Sequence, residues 1–363
     1  MKVLHAAETI KGGVATVMRQ LVAGQINDES IDVRCIVPSE QVSELGVGKE
    51  NIIVFSRSGR DIYSFFIFFL TFTKTIISFK PDLVHLHSTF SGFMGRVALY
   101  LLWPFYRPKV IYCPHAFSFM MKGGAKKLKL YAALERALSP ITDVIICVSQ
   151  YEKSCAIEYG LSERKLKVVH NGVPDKLPSG PTANPFEPDV INAIFVGRFD
   201  YQKGFDILLD AMTRVKGEAI FLTAIGSAVH GKDNPREMMQ TSYTGWLSSD
   251  ELAPYLINAD VLVMPSRWEG FAMVALEAMS YGLPVLASNC SSFPEMIEDG
   301  HTGILFEAEN SKDLANYLRN TSKDQWAKMG ENARKVFLKN YTSVKMCRDT
   351  LSIYNSLAAE TQR

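Results

Sequence analysis

VLVMPSRWEGFAMVALEAMS, residues 261–280, spells a strand, a turn and a helix in succession. Val261–Met264 is a short continuous apolar run, as a strand covered on both faces requires. Pro265 cannot donate to a ladder and ends it. The turn carries Glu269-Gly270, and helical spacing begins near Phe271–Met273 and predicts a helix over Met273–Ser280. Strand followed by helix is the unit from which parallel sheets are built. Ligands of such sheets sit beyond the carboxyl ends of the strands. This turn is therefore the first place to look for chemistry.

Outward from it the same grammar continues on both sides. Asn192–Val196, Ala219–Ile225, Thr241–Thr244, Pro284–Ala287 and Ile304–Phe306 read as strands. Gly204–Val215, Ser248–Leu256 and Ser311–Asn320 read as helices, and the tail after Lys323 is helical. Further upstream, Lys2–His5, Val33–Val37, Leu83–Leu86, Val110–Cys113, Val144–Val148 and Lys167–Val169 read as strands. Helical patterns follow Gly12-Gly13 and cover Ser91–Leu102 and Leu128–Ala137. Between the halves, Asn171–Pro188 holds an Asn171-Gly172 turn pair and prolines at 174, 178, 181, 185 and 188, which is linker chemistry. The fold class is α/β, with two Rossmann-like domains: residues 1–177, a linker at 178–189, and 190–344.

A chain of 363 residues with 47% apolar content suits two packed cores. Net charge is +1, without the basic excess that a nucleic-acid partner normally leaves. Six cysteines, none in a CxxC, read as small buried hydrophobes rather than disulfides or zinc ligands. Met1–Ala7 is shorter than the roughly 7–15 apolar residues of a signal peptide core. A reducing, cytoplasmic setting is expected.

Four elements after strands carry the chemistry. Lys11-Gly12-Gly13 lets the chain turn tightly before a helix whose first N–H groups suit an anion; a plain tight turn is the bland alternative. His115 directly follows a buried strand, where it is either a structural hydrogen-bonder or faces a ligand. His85, His87 and His115 lack the carboxylate or cysteine neighbours of a metal site, so no metal is expected. Gly197-Arg198-Phe199-Asp200-Tyr201-Gln202-Lys203-Gly204 places a planar fork of donors and a mobile point charge around one turn. Those two cations suit a diphosphate; a solvated turn is the alternative. Glu277 lies within an apolar helix and, if buried, needs a partner such as a ribose diol. Eight residues of ideal helix span about 12 Å. Glycosidase carboxylates sit about 5–9.5 Å apart, so Glu269 and Glu277 fit two ends of a long ligand better than one bond.

Two surfaces raise the question of a membrane. Ile62–Phe79 is almost continuously apolar but contains Lys74. It is near the length of about 20 residues that a spanning helix needs. A core helix, a membrane-surface helix and a spanning helix all remain open. Lys122–Arg136 mixes Lys122, Lys126, Lys127, Lys129 and Arg136 with Leu128, Leu130, Tyr131 and Leu134. It is either a solvated helix over the core or a face for anionic lipid.

Taken together, Glu269…Glu277, Gly197-Arg198-Phe199…Lys203-Gly204, Asn171-Gly172-Val173, Lys11-Gly12-Gly13 and His115 resemble the retaining glycosyltransferase family 4. The resemblance covers nearly the whole chain and is strongest from Asn192 to Phe306. It implies the GT-B fold: two Rossmann-like domains across a deep cleft, with a C-terminal helix, about 345–363, crossing back to the N-terminal domain. It implies transfer of a hexose or N-acetylhexosamine from a nucleotide-diphosphate sugar, UDP by default, to a glycan or lipid-linked acceptor, without cofactor or metal. Arg198 and Lys203 would then bind the diphosphate, and Glu277 the ribose. Glu269 would contact the donor sugar, and His115 would lie near sugar hydroxyls at the acceptor side. Gly12, Gly13 and Gly197 would shape the nucleotide-sugar loops. Gly270, Phe271, Ala272, Met273 and Val274 would offer backbone N–H groups, and Trp246 would stand near the base. Phe271-Ala272-Met273 departs from the family's usual Phe-Gly-Leu. Relatives that build lipopolysaccharide, capsule or other surface glycans imply a cytoplasmic protein held peripherally at the inner membrane face. A sugar-nucleotide epimerase and a non-catalytic sugar-nucleotide binder are the alternatives. A nicotinamide dehydrogenase predicts a GxGxxG after the first strand, which is absent.

Overall fold

The computed structural model describes every residue except 60, 122, 176–181, 229–237 and 362–363. Pro178, Pro181 and Lys122 therefore lie outside the described residues. The chain forms two compact units: Met1–Gly172 with Ser343–Arg363, and Val173–Thr342.

In chain order the first unit runs β1 (Lys2–Ala7), α1 (Gly13–Ile26), β2 (Asp32–Pro38), β3 (Ile52–Phe55), α2 (Ile62–Phe79) and β4 (Leu83–His87). It continues with α3 (Thr89–Leu102), β5 (Lys109–Cys113), α4 (Ala125–Leu138), β6 (Val144–Cys147), α5 (Gln150–Glu158) and β7 (Leu166–Val168). The second unit opens with β8 (Ile191–Val196), α6 (Phe205–Arg214), β9 (Ile220–Ile225), β10 (Thr241–Gly245), α7 (Ser249–Asn258) and β11 (Val261–Met264). It closes with α8 (Met273–Ser280), β12 (Val285–Ser288), α9 (Phe293–Met296), β13 (Gly303–Phe306), α10 (Ser311–Asn320) and α11 (Lys323–Asn340). The last helix, α12 (Ser343–Thr361), returns to the first unit, where it packs on α1.

Each unit is built on a parallel sheet. The first has seven strands in the order β3-β2-β1-β4-β5-β6-β7, the second six in the order β10-β9-β8-β11-β12-β13. In both, the chain steps outward from its first strand, then returns to that strand's other side. The reversal lies between β1 and β4 in one unit and between β8 and β11 in the other. Ligands of open α/β sheets bind at such switch points. The loops after these four strands are thereby singled out by topology alone.

Residues of both sheets are buried under helices, with Leu4, Leu86 and Tyr112 in one core and Phe195, Val263 and Trp326 in the other. Within α2, Phe68, Phe72, Ile76 and Phe79 join the first core, while Ile62, Tyr63, Phe66, Leu70 and Ile77 remain exposed. By length and composition α2 could cross a membrane, and a third of it is buried in the unit. The core-helix reading therefore accounts for one face of it only.

Three elements escape the periodicity reading, among them the single-turn α9 (Phe293–Met296), too short to show a period. The edge strand β3 has only four residues, mostly half-buried or exposed. In α5 the buried residues are Glu152 and Ala156, so it shows no apolar stripe.

Candidate functional site

In the second unit, glycines bring the strand-end loops together. Gly204 stands at the head of α6 with φ +65°, and a Cβ there would lie 1.9 Å from the Pro265 carbonyl oxygen. Gly226, after β9, has φ +138°, and its Cβ would lie 1.9 Å from the Gly197 carbonyl oxygen. No side chain fits either place.

The turns after β8 and β11 are then stitched together. The Arg267 N–H donates to the Gln202 carbonyl (2.8 Å), and Gln202 Nε2 donates to the Trp268 carbonyl (3.3 Å). Lys203 Nζ meets Glu269 Oε1 at 2.6 Å, and Ser266 Oγ donates to the same oxygen at 2.8 Å. Arg198 Nη2 donates to Gln202 Oε1 (2.8 Å) and pairs with Asp200 (3.2 Å). Arg267 forks onto Asp206 and lies over the Tyr201 ring. The two cations and the buried Glu269 singled out in the sequence thus converge on one switch point. Each cation already has an anionic neighbour, which charge counting along the sequence does not reveal.

The next helix completes this half. α8 begins after Ala272 without a side-chain cap. Its first turn presents N–H groups and the partial positive charge of a helix N-terminus beside the turn. Phe271 and Ala272 are buried, Met273, Val274 and Glu277 half-buried. Trp246 follows β10 at the sheet edge, two strands from β8, and is exposed.

In the first unit, Gly12 caps α1 with φ +58°, and a Cβ added there would meet no atom within 4 Å, so the turn needs glycine for its backbone angle. Lys11, Gly12 and Gly13 are exposed. His115 follows β5 with φ +55°, and Ala116 has φ +96°. For alanine that angle is a strained conformation.

His115, itself half-buried, ends a chain of otherwise buried rings. His115 Nε2 contacts His87 Nδ1 (3.0 Å), His87 Nε2 contacts His5 Nδ1 (2.9 Å), and His5 Nε2 contacts Gln25 Oε1 (2.8 Å). Burial pushes His5 and His115 down to about 4, and His85 and His87 well below the usual histidine range. The rings are therefore neutral near pH 7, each with one donor and one acceptor. With Gln25 Oε1 as terminal acceptor, all donate in one direction, and His115 keeps its Nδ1 lone pair on the side of Cys113.

His85 Nδ1 meets the Tyr354 hydroxyl at 2.6 Å. Ring nitrogens of His5, His85 and His87 lie within 4.8 Å of one another, a spacing that could hold a metal ion. In that trio His5 takes the place that the sequence offered to His115, and His5 and His87 already bond to each other. His5 stands in an apolar strand, where patterning marks only burial; its one sequence signal is a polar ring within Lys2–Ala7.

Residues 11–177 match the family described as Glycosyltransferase Family 4, and residues 182–336 the family described as Glycosyl transferases group 1. The chain is 39% identical to an uncharacterized 41.2 kDa protein in cps region of Klebsiella pneumoniae, across 98% of this chain and 100% of that one. Its fold is similar to that of sucrose-phosphate synthase from Thermosynechococcus elongatus, with a TM-score of 0.81 at 18% identity over 99% of this chain and 100% of the other. It is also similar to Anabaena HepE, solved in complex with UDP and glucose, with a TM-score of 0.77 at 18% identity over 98% and 100%. At such identities the structural likeness carries the fold alone. With two parallel sheets and family matches over both halves, the chain belongs to glycosyltransferase family 4, with the α/β architecture of the GT-B fold.

Proposed function

We propose that the chain is a retaining, metal-independent glycosyltransferase that uses a nucleoside diphosphate sugar, with UDP as the nucleotide, and adds a hexose or N-acetylhexosamine to a hydroxyl of a surface glycan or its lipid-linked precursor. One observation carries the donor half: Arg198 and the Lys203–Glu269 pair meet at the β8/β11 switch, beside the uncapped start of α8. Cations and a helix N-terminus bind the diphosphate. Glu269 and the N–H groups of Gly270–Val274 hold the sugar, Glu277 the ribose, and Trp246 the base. Gly12, Gly13 and His115 serve sugar hydroxyls on the acceptor side. HepE's complex with UDP and glucose and the cps-region relative support donor class and pathway type. The test is a panel of sugar nucleotides assayed for transfer and hydrolysis. Binding of one donor without turnover would favour a non-catalytic binder, and interconversion of free sugar nucleotides an epimerase.

Glu277→Ala is expected to weaken free UDP and the intact donor alike, by about 1–3 kcal/mol, as befits a charge-assisted hydrogen bond. Unchanged calorimetric affinity for UDP in a folded variant removes the ribose role.

The acceptor half is proposed to work at an anionic membrane surface. α3 packs against both α2 and α4, so the three helices adjoin. Ile62, Phe66 and Leu70 of α2, Tyr100 and Leu101 of α3, and Leu130 of α4 are exposed, and so are Lys126, Lys127 and Lys129. Apolar side chains beside lysines suit the interface of an anionic bilayer. Binding to phosphatidylglycerol vesicles should exceed binding to phosphatidylcholine vesicles and fall with added salt. Equal binding to both removes the electrostatic part. Resistance to extraction by both high salt and alkaline carbonate instead makes α2 a spanning helix.

A further inference from the structure

The Glu152 side chain is fully buried, and no cation neutralises it in its described contacts. Its position, three residues after Ser149 at the head of α5, has the spacing of a capping box, and the Ser149 side chain does accept from the Glu152 N–H. The carboxylate itself turns elsewhere. Oε2 accepts from the Val148 N–H at 2.7 Å, at the end of β6. Oε1 accepts from the N–H groups of Ala116 (2.9 Å) and Phe117 (3.1 Å), in the loop after β5. These are the residues directly after His115, and among the described residues His115 and Ala116 are the one consecutive pair of non-glycine residues with positive φ.

A strained turn persists only when its surroundings over-determine it. Its other described side-chain tethers are the contacts of His115 Nε2 with His87 (3.0 Å) and of His115 Nδ1 with Cys113 Sγ (3.7 Å). Burying an unpaired carboxylate is costly, and here burial lifts its carboxyl to about 7 although three N–H donors pull the other way. An ordinary helix cap needs no such burial. We propose that Glu152 is a positioning residue, which staples the strained His115–Ala116 turn to β6 and so fixes the direction of the His115 ring. This rests on the reading of His115 as a group that meets sugar hydroxyls, but the geometry of the staple does not.

The variant Glu152→Gln keeps the shape and turns one acceptor into a donor, which opposes at least one of the three N–H groups. Glu152→Asp keeps the charge and withdraws it from the turn by one methylene. The measurement is imidazole 15N NMR on histidine-labelled protein, with His115 assigned through His115→Ala and the buried His85, bonded to Tyr354 within the same unit, as the folding control. Both variants are expected to move the His115 resonances and to leave His85 in its buried, Tyr354-bonded state. With the donor selected from the panel, turnover should fall about tenfold to a hundredfold while UDP affinity is kept. In a His115→Ala background, Glu152→Gln should add little to that loss. Unmoved His115 resonances in a folded variant overturn the staple. Moved resonances with unchanged turnover uphold it and count against the sugar role of His115. If Glu152→Gln does not fold, Glu152→Asp decides alone by the same spectra.

Discussion

Arg198→Ala is expected to lower the turnover number by about a hundredfold or more, with a much smaller change in donor affinity. Negative charge grows on the leaving diphosphate as the glycosidic bond breaks. A cation fixed beside it interacts more strongly then than with the intact donor. Arg198 is held in place by Gln202 and Asp200, and Gln202 is in turn tied to the Trp268 carbonyl of the facing turn. Preorganisation of this kind favours the transition state, because the guanidinium need not reorient as charge develops. Lys203→Arg should retain only part of the activity. The ammonium sits 2.6 Å from Glu269 Oε1, and a planar fork does not reproduce that compact contact. Asp200 and Glu269 draw on the same two cations, so the N-terminus of α8 has to share in stabilising the leaving group. The check is initial-rate kinetics on desalted enzyme with and without chelator. Loss of all activity on chelation, restored by magnesium or manganese, would mean that a metal carries the leaving group. A fall in donor affinity at unchanged turnover would reduce Arg198 to ground-state binding.

The regular parts of this chain were legible because their side chains repeat. Val261–Met264, Met273–Ser280 and Ser311–Asn320 have in the structure the bounds that apolar patterning assigns. The donor half of the site was legible for a different reason. Its cations and glutamates follow strands closely, and a parallel sheet gathers strand ends at one edge. What stayed hidden is what depends on neighbours far along the chain. Lys203 and Glu269 lie 66 residues apart, and nothing local says that they pair. Glu152 and Ala116 lie 36 apart, in a helix without an apolar stripe and a turn without a glycine. His5 joins His87 across 82 residues only because β1 and β4 are sheet neighbours. In each case local propensity is silent and the contact is made by topology.

Gly204→Ala tests how far the donor half depends on close approach of its two turns. Two costs add at this position. Its φ of +65° disfavours any Cβ, by about 1–2 kcal/mol. The Cβ would also stand 1.9 Å from the Pro265 carbonyl oxygen, a backbone atom that cannot swing aside. Forced overpacking of this sort costs about 1–3 kcal/mol more. The second unit should therefore lose roughly 2–5 kcal/mol, a fall in its melting temperature on the order of 5–15 °C. Relief can come only by separating the head of α6 from the end of β11. That motion carries Lys203 away from Glu269 and Gln202 away from Arg267, so turnover should fall about a hundredfold even where the unit is still folded. Gly217→Ala is the comparison: its φ is +85°, and no atom lies within 4 Å of the added Cβ. It bears the backbone cost alone and should lose about 1–2 kcal/mol with normal turnover. Differential scanning calorimetry and initial rates on both variants settle the matter. Equal losses of stability would show that the backbone angle, not the approach to Pro265, decides. Normal turnover in a destabilised Gly204→Ala would show that the chemistry tolerates displacement of the Lys203 turn.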